Sequence, residues 1–310
     1  MAQFFIILQQ LFIFTVFVSI GILCVKCKIF DEGSLNAISK FIINVSMPIM
    51  LICNLLAGPS LNSLIDAFPI FTAYLASFIL LYLSNCVIVW FFNFEYQKAN
   101  IYKAMATFSN AGFIGIPLIL ALYGKEGSIF MSLCIIVDQF MLWTLGIKLA
   151  SSSNKYNFKY LKNFINPALV AIIFSLVAVT LDLKVPKIIF LALTPLGNMA
   201  PALSMIYIGG LFCFFDIKKY LKNFEIYILI LFKMILFPVS IWLILKQVPV
   251  SENISKTVVM LCALPSMAAI AILAKKYDNN SEYAIATLLI TSTFSLVTVP
   301  FVSFLINNVL

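Results

Sequence analysis

Apolar residues run through this chain in stretches long enough to cross a bilayer, about 20 residues each, with short polar intervals between them. The first set runs from Ala2 to Cys24, Leu35 to Ala57, Ala67 to Phe92, Ile101 to Tyr123 and Gly127 to Leu149. A polar stretch from Ser151 to Asn163 follows. The second set runs from Phe164 to Leu181, Pro186 to Phe215, Asn223 to Leu245, Ile254 to Ala274 and Tyr283 to Val309. The pattern therefore predicts an all-α polytopic membrane protein with ten transmembrane helices, five in residues 1–150 and five in residues 151–310.

Composition strengthens this picture. Apolar residues make up 63% of the chain and charged ones 10%, with a mean hydropathy of +1.08, far from the roughly half apolar and one quarter charged of soluble domains. Thirty phenylalanines need hydrocarbon around them. The first span has no basic residue ahead of it and no small-residue cleavage site, so it reads as a true span rather than a signal peptide. The polar connections leave no room for a soluble domain, which places function inside the membrane.

All 20 basic residues are lysines, and cytoplasmic loops hold the excess of basic residues. With the N-terminus outside, the inner connections hold thirteen of them, namely Lys26, Lys28, Lys98, Lys103, Lys148, Lys155, Lys159, Lys162, Lys218, Lys219, Lys222, Lys275 and Lys276. The outer ones hold five, Lys125, Lys184, Lys187, Lys246 and Lys256, while Lys40 and Lys233 fall within spans. Both termini are thus expected outside a cell membrane, plasma or bacterial inner. The net charge of +8 is explained by this bias and by anionic lipid, and implies no nucleic-acid partner. Of seven cysteines, only Cys24 and Cys27 have a suggestive spacing. Without a histidine anywhere they predict no metal site and no cofactor.

Two proline-marked interruptions sit in matching places of the two halves: Ser109-Asn110-Ala111-Gly112-Phe113-Ile114-Gly115-Ile116-Pro117 and Ala263-Leu264-Pro265-Ser266-Met267-Ala268-Ala269, 148 residues apart by their prolines. Ser46-Met47-Pro48 in span two answers to Met199-Ala200-Pro201 in span seven at an offset of 153. Five spans followed by five more, joined on the inner side, make the second half enter with opposite orientation, which is an inverted repeat. Proline removes an intrahelical hydrogen bond and Gly112 and Gly115 relax the backbone beside Pro117, so the helices are expected to stop and restart there. Freed backbone groups at that depth must be packed in protein or line a wet cavity. Two half-helix N-termini meeting at the midplane would favour a carboxylate. Pro48, Pro201 and Pro238 serve equally well as simple kinks.

At these residues the chain resembles the auxin efflux carrier family, which includes bacterial malate and malonate carriers and the plant PIN-formed auxin exporters. The resemblance rests on Phe108 to Leu118 with Tyr123-Gly124 following, and on Ala263-Leu264-Pro265-Ser266 leading to Ala274-Lys275-Lys276-Tyr277. Ser46-Met47-Pro48, Pro201-Ala202-Leu203 and Gly209-Gly210 match more weakly. It implies ten helices with both termini outside, a scaffold of spans 1, 2, 6 and 7, and a moving domain of spans 3–5 and 8–10 working by elevator-like alternating access. It also implies an organic anion held where spans four and nine cross, with its carboxylate on Asn110. The chain departs from the family after Pro265, where Met267-Ala268-Ala269-Ile270-Ala271 is less polar than in many relatives. That leaves mono- and dicarboxylates equally open as substrates.

The candidate substrate residues are therefore Asn110, Gly112, Gly115, Pro117, Pro265 and Ser266, with Asn44 and Ser46 as further polar residues for the pathway. Asp138 and Lys233 lie near the middle of spans five and eight, and charges at that depth mark substrate or proton routes or pair with one another. Their expected proximity, with Gln139 beside them, gives a candidate proton-coupling group, although a fixed structural pair fits the sequence as well. Thr291, Ser292 and Thr293 of span ten match the Asp138 region. Lys40 can snorkel to the interface.

A sodium-coupled symporter resembling the bile acid carriers is the rival transporter reading, but span nine has no acidic or amide group between Val258 and Ala274. Enzymes are disfavoured because no histidine exists for a Ser-His pair or a zinc site and Asp138 is a lone membrane carboxylate. A channel would use the same architecture without saturable flux. A homodimer is left open.

Overall fold

The computed structural model describes residues 2–57, 60–151, 167–181, 183 and 185–308. Among these residues the chain is helical, with no strand and one isolated antiparallel bridge. In order the helices are α1 (Ala2–Lys26), α2 (Glu32–Phe41), α3 (Met47–Ala57), α4 (Leu61–Asp66), α5 (Phe68–Phe91), α6 (Tyr96–Thr107), α7 (Ile116–Met141), α8 (Ile147–Ala150), α9 (Pro167–Thr180), α10 (Lys187–Phe214), α11 (Phe224–Leu231), α12 (Phe237–Leu245), α13 (Glu252–Ala263), α14 (Ala268–Lys276) and α15 (Ser281–Asn308). Seven continuous helical runs among the described residues are long and apolar enough to cross a membrane: Gln3–Lys26, Glu32–Leu56, Phe68–Phe91, Ala111–Ala150, Lys187–Phe214, Phe224–Leu245 and Ser281–Asn308. The predicted polar connection from Ser151 to Asn163 lies, beyond Ser151, outside the described residues, as do Lys155, Lys159, Lys162 and Lys184.

The run Ala111–Ala150 is 40 residues long, which as a straight helix would measure about 60 Å, twice the hydrocarbon thickness. It is instead folded back at Gly124, whose backbone (φ 55°, ψ −123°) is left-handed and suits glycine alone. A Cβ on Gly127 would stand 2.5 Å from the carbonyl oxygen of Ile119, although eight helical residues span about 12 Å. The two arms of α7 therefore pack backbone to backbone rather than forming one straight helix. Among the other described helices, Pro167–Thr180 is apolar but shorter, and α6, α13 and α14 are halves of interrupted spans.

Pro117 acts differently from the expectation, whereas Pro48, Pro201 and Pro238 stay within continuous helical runs, the alternative open to them. Pro48, Pro117 and Pro238 each follow a π turn, over Ile42–Ser46, Ala111–Gly115 and Phe232–Leu236. The residue before each proline, Met47, Ile116 or Phe237, donates its N–H to a carbonyl five positions back, on Ile42, Ala111 or Phe232. The widened turn makes room for the proline ring against the preceding carbonyls, and the helix continues. Pro195, Pro201 and Pro300 likewise lie within α10 and α15 without ending them. Pro117 therefore does not mark the break of span four. That break falls at Phe108–Asn110, between α6 and the π turn that leads into α7, whereas Pro265 stands inside the break of span nine, between α13 and α14.

Helix starts outside the apolar runs are capped in the usual way. Asp31 accepts from the Ser34 N–H at 2.7 Å and its hydroxyl at 2.6 Å, bonds that hold its carboxyl below the ordinary carboxylate range. Ser60 and Ser251 cap α4 and α13 through Ser63 and Ile254.

The helices pack as two groups. The first contains α1, α3, α9 and α10, with α1 along α10 and α3 against α9 and α10. The second holds α5, α6, α7, α11 to α15, with α13 packed on α5, α12 and α15. Residues facing outward are bare hydrocarbon, including Trp90 at 80% and Phe91 at 75% exposure, which is the surface expected of a chain whose solvent is lipid.

Candidate functional site

Asn110 leaves helical geometry at φ −78°, ψ 53°, and the chain beside it pairs with the second interrupted helix. Ser109 and Ser266 form an antiparallel bridge. The Asn110 N–H donates to the Pro265 carbonyl at 2.9 Å, and the Met267 N–H donates to the Phe108 carbonyl at 3.1 Å. Backbone groups released by one broken helix are thus satisfied by the other, as an interior without water requires. The sequence expectation that the two interruptions meet is correct. Their pairing register joins Ser109 to Ser266, not Pro117 to Pro265.

Ser266 is completely buried and ties three helices together. Its hydroxyl donates to the Met105 carbonyl at 2.8 Å, and its N–H donates to the Thr291 hydroxyl at 3.2 Å. Thr291 of α15 thus closes one side of the crossing, as its correspondence with span five suggested. Thr293 points its hydroxyl to the Leu289 carbonyl of its own helix, and the Ser292 hydroxyl is buried without a partner.

Asn110 is 1% exposed. Its carbonyl accepts from Ile114 and Gly115 N–H groups, while its side-chain Nδ2 is buried with no hydrogen-bond partner. Such an amide costs about 1–3 kcal/mol unless something binds to it. The π turn beginning at Ala111 and helix α14 beginning at Ala268 both start at this crossing, so two positive helix ends adjoin the unpartnered amide. Gly112 is open enough that a Cβ would just touch Met47 at 3.4 Å. At Gly115 a Cβ would overlap Leu261 at 2.8 Å, which makes Gly115 a close-packing position between spans four and nine.

A small cavity opens immediately beyond, lined by Asn54 of α3 and by Ile116, Leu120, Ser128 and Ser132 of α7. It lies between the two helix groups.

Two of the candidate residues do not reach the crossing. Asn44 is exposed and its amide donates to the Lys40 carbonyl one turn back on its own helix at 2.8 Å. Ser46 is buried, but its hydroxyl donates to the Leu196 carbonyl at 2.6 Å and ties span two to α10. Lys40 is exposed near the end of α2.

Asp138 and Lys233 are both completely buried and within electrostatic range of each other, but they do not form a contact ion pair. The two are near each other, as expected, and of the two structural alternatives the fixed ion pair is not formed, whereas Asp138 is hydrogen-bonded. Tyr74 of α5 donates its hydroxyl to Asp138 Oδ1 at 2.8 Å, leaving Oδ2 buried and unpartnered. Lys233 donates to the carbonyls of Phe108 at 2.8 Å and Met105 at 3.2 Å. Gln139 accepts from Trp143 Nε1 at 3.2 Å, and its own Nε2 is unpartnered. Nothing in the sequence singles out Tyr74, because Thr72, Ser77, Tyr82 and Ser84 put other hydroxyls in the same apolar span. Asn85, whose amide donates to the Thr107 hydroxyl at 3.3 Å, is not singled out either. Cys24 and Cys27 are free thiols, and no group of three or more potential metal ligands occurs among the described residues.

A bundle of apolar helices with two interrupted ones crossing at buried polar groups defines a multi-pass membrane transporter. The profile of a family described as membrane transport protein matches residues 5–160 and 156–303, so the chain belongs to this family, the auxin efflux carriers. It is also 22% identical over 295 residues to an uncharacterized transporter of Methanocaldococcus jannaschii, covering 90% of this chain and 92% of that protein.

Proposed function

We propose that this protein is a secondary transporter carrying a small organic anion, a mono- or dicarboxylate, by elevator-like alternating access across a cell membrane. The observation that carries the reading is the buried, unpartnered Nδ2 of Asn110 at the point where two half-helix N-termini adjoin. A carboxylate supplies the acceptor this amide lacks and meets favourable dipole ends. Asn110 and the backbone around Pro265 and Ser266 contact the anion, with Gly112 and Gly115 admitting the close approach.

The antiparallel bridge between the two interruptions and the two matched stretches of the family profile support ten helices in two inverted five-helix repeats. The packing of α1, α3, α9 and α10 as one group supports a scaffold, against which the crossing and its neighbours move. The cavity between Asn54 and Ser132 lies on that sliding boundary, where a path to one side of the membrane would open. With both termini outside, as the lysine distribution indicates, this cavity is on the outer side of the crossing. Asp138 is the proposed proton-coupling group, because its Oδ2 lacks a partner and can hold a proton.

The test is counterflow of labelled mono- and dicarboxylates in proteoliposomes. Saturable exchange is expected, and Asn110→Ala should weaken it by about 10- to 100-fold, the loss of one hydrogen bond to a charged group. Exchange of no carboxylate, or exchange indifferent to Asn110, would sink the substrate class and the site.

A further inference from the structure

The carbonyls at the C-terminal end of α6 are the most electronegative backbone in the crossing. A helix C-terminus carries about half a negative charge, and the break at Phe108 removes the next turn that would have supplied the usual donors, so the Phe108 carbonyl takes the Met267 N–H and the Met105 carbonyl the Ser266 hydroxyl, each with a second lone pair left over. In transporters with interrupted helices, unwound carbonyls and half-helix C-termini of this kind are where monovalent metal ions bind. Here the place is taken. Lys233 reaches in from the π turn of span eight and sets Nζ 2.8 Å from the Phe108 carbonyl and 3.2 Å from that of Met105. Among the described residues no carboxylate lies within 4 Å of it. An ammonium that spans have buried completely, at a cost of several kcal/mol, and that is spent on carbonyls rather than on a salt bridge, is acting as the ion itself.

We infer that the Lys233 ammonium is a built-in cation occupying the metal-ion position at the end of α6, so that the carrier neither binds nor co-transports sodium or potassium. The inference rests on the transporter reading above and names its coupling. A tethered cation travels with the crossing in both directions, loaded or empty. It therefore offsets the substrate's charge at every step without coupling flux to a metal-ion gradient. The same charge fills the second lone pair of each carbonyl, beside the Met267 N–H and the Ser266 hydroxyl, and so holds the backbone that presents Asn110.

Melting of the purified protein in choline, sodium, potassium and methylammonium chloride separates this from a merely structural lysine. Wild-type protein should melt at one temperature in all four salts. Lys233→Ala, which empties the position and leaves the carbonyls, should melt lower in choline and recover saturably, by about 5 °C, in sodium or methylammonium. Lys233→Met, which fills the space without charge, should melt lower and respond to none. Saturable stabilisation of the wild type by sodium or potassium overturns the inference, as does a folded Lys233→Ala indifferent to every cation. If Lys233→Ala gives no folded protein, Lys233→Gln decides, since it keeps two N–H donors and no charge: wild-type melting and exchange would overturn the inference, and lost exchange with retained fold would support it. Failure of the wild type to exchange any carboxylate would sink the transporter reading while leaving the melting results to stand.

Discussion

Two helix crossings in this protein solve opposite problems. Where α1 meets α10, a Cβ placed on Gly21 would stand 2.1 Å from the Ile206 carbonyl oxygen, and one on Gly209 would stand 2.1 Å from that of Val18. The two backbones touch, and every amide there is already satisfied within its own helix. Where spans four and nine meet, both helices have been opened and their backbone groups are exchanged across the gap, Asn110 to Pro265 and Met267 to Phe108. The first crossing gains from close van der Waals contact of small residues in lipid. The second gives up regular hydrogen bonds and keeps several buried polar atoms unpaired, Asn110 Nδ2 and Asp138 Oδ2 among them. Rigidity and the proposed binding thus fall to different crossings, and each is legible in what its residues lack: side chains in one, partners in the other.

The sharpest way to break this division is to put a side chain into the first crossing. Gly209→Val places a β-branched group where a backbone oxygen already stands, and no rotamer relieves it. The expected cost is about 3 kcal/mol or more, read as a large fall in melting temperature or loss of folded protein in detergent. A variant that folds and melts like the wild type would show that α1 and α10 are free to separate, and the rigid half of the comparison would be lost.

A smaller and more specific effect is expected at the second crossing. Asp138→Asn removes the group proposed to hold a proton but keeps an oxygen to accept from Tyr74, so the fold should persist. Carboxylate exchange should then lose its dependence on pH while continuing at a reduced rate. Unchanged pH dependence would leave Asp138 a structural residue. Tyr74→Phe complements the test, because it strips the remaining partner from Oδ1 and should move the pH profile without removing the carboxyl.

Much of the fold was legible because hydropathy reports the solvent of each segment directly: the apolar runs of residues 2–24, 67–92 and 186–215 reappear as α1, α5 and α10 within a few residues. The breaks were less legible. Pro117 looks in the sequence like the marker of an interruption, yet a π turn absorbs its missing donor, as at Pro48 and Pro238, which fit simple kinks as well. The true break of span four lies at Ser109 and Asn110, where an asparagine tolerates unusual backbone and offers its own polar groups. At Pro265 the marker and the break coincide. The proximity of the two buried charges is legible in the sequence, but their hydrogen-bond partners are not. Depth made Asp138 and Lys233 conspicuous, but their partners are a tyrosine hydroxyl in α5 and two carbonyls, and neither periodicity nor charge pattern encodes a carbonyl that becomes free only when a distant helix opens.

The smallest expected effect tests where the binding crossing ends. Asn44 was a candidate for the pathway on polarity alone, and its amide turns back to the Lys40 carbonyl on an exposed face. Asn44→Ala should change exchange by less than twofold and stability by less than about 0.5 kcal/mol, the range of surface substitutions. Ser46→Ala, two residues on, breaks a buried bond between span two and α10 and should cost about 1 kcal/mol of stability with substrate affinity intact. The residues make a gradient along span two: an exposed amide at Asn44, then a tie to α10 at Ser46, then, about two turns on, the cavity wall at Asn54. If Asn44→Ala instead weakens exchange as strongly as Asn110→Ala, the exposed face of α2 and its π turn belongs to the path the anion takes at another stage of the cycle, and the boundary between the rigid and the binding regions has to be redrawn through span two.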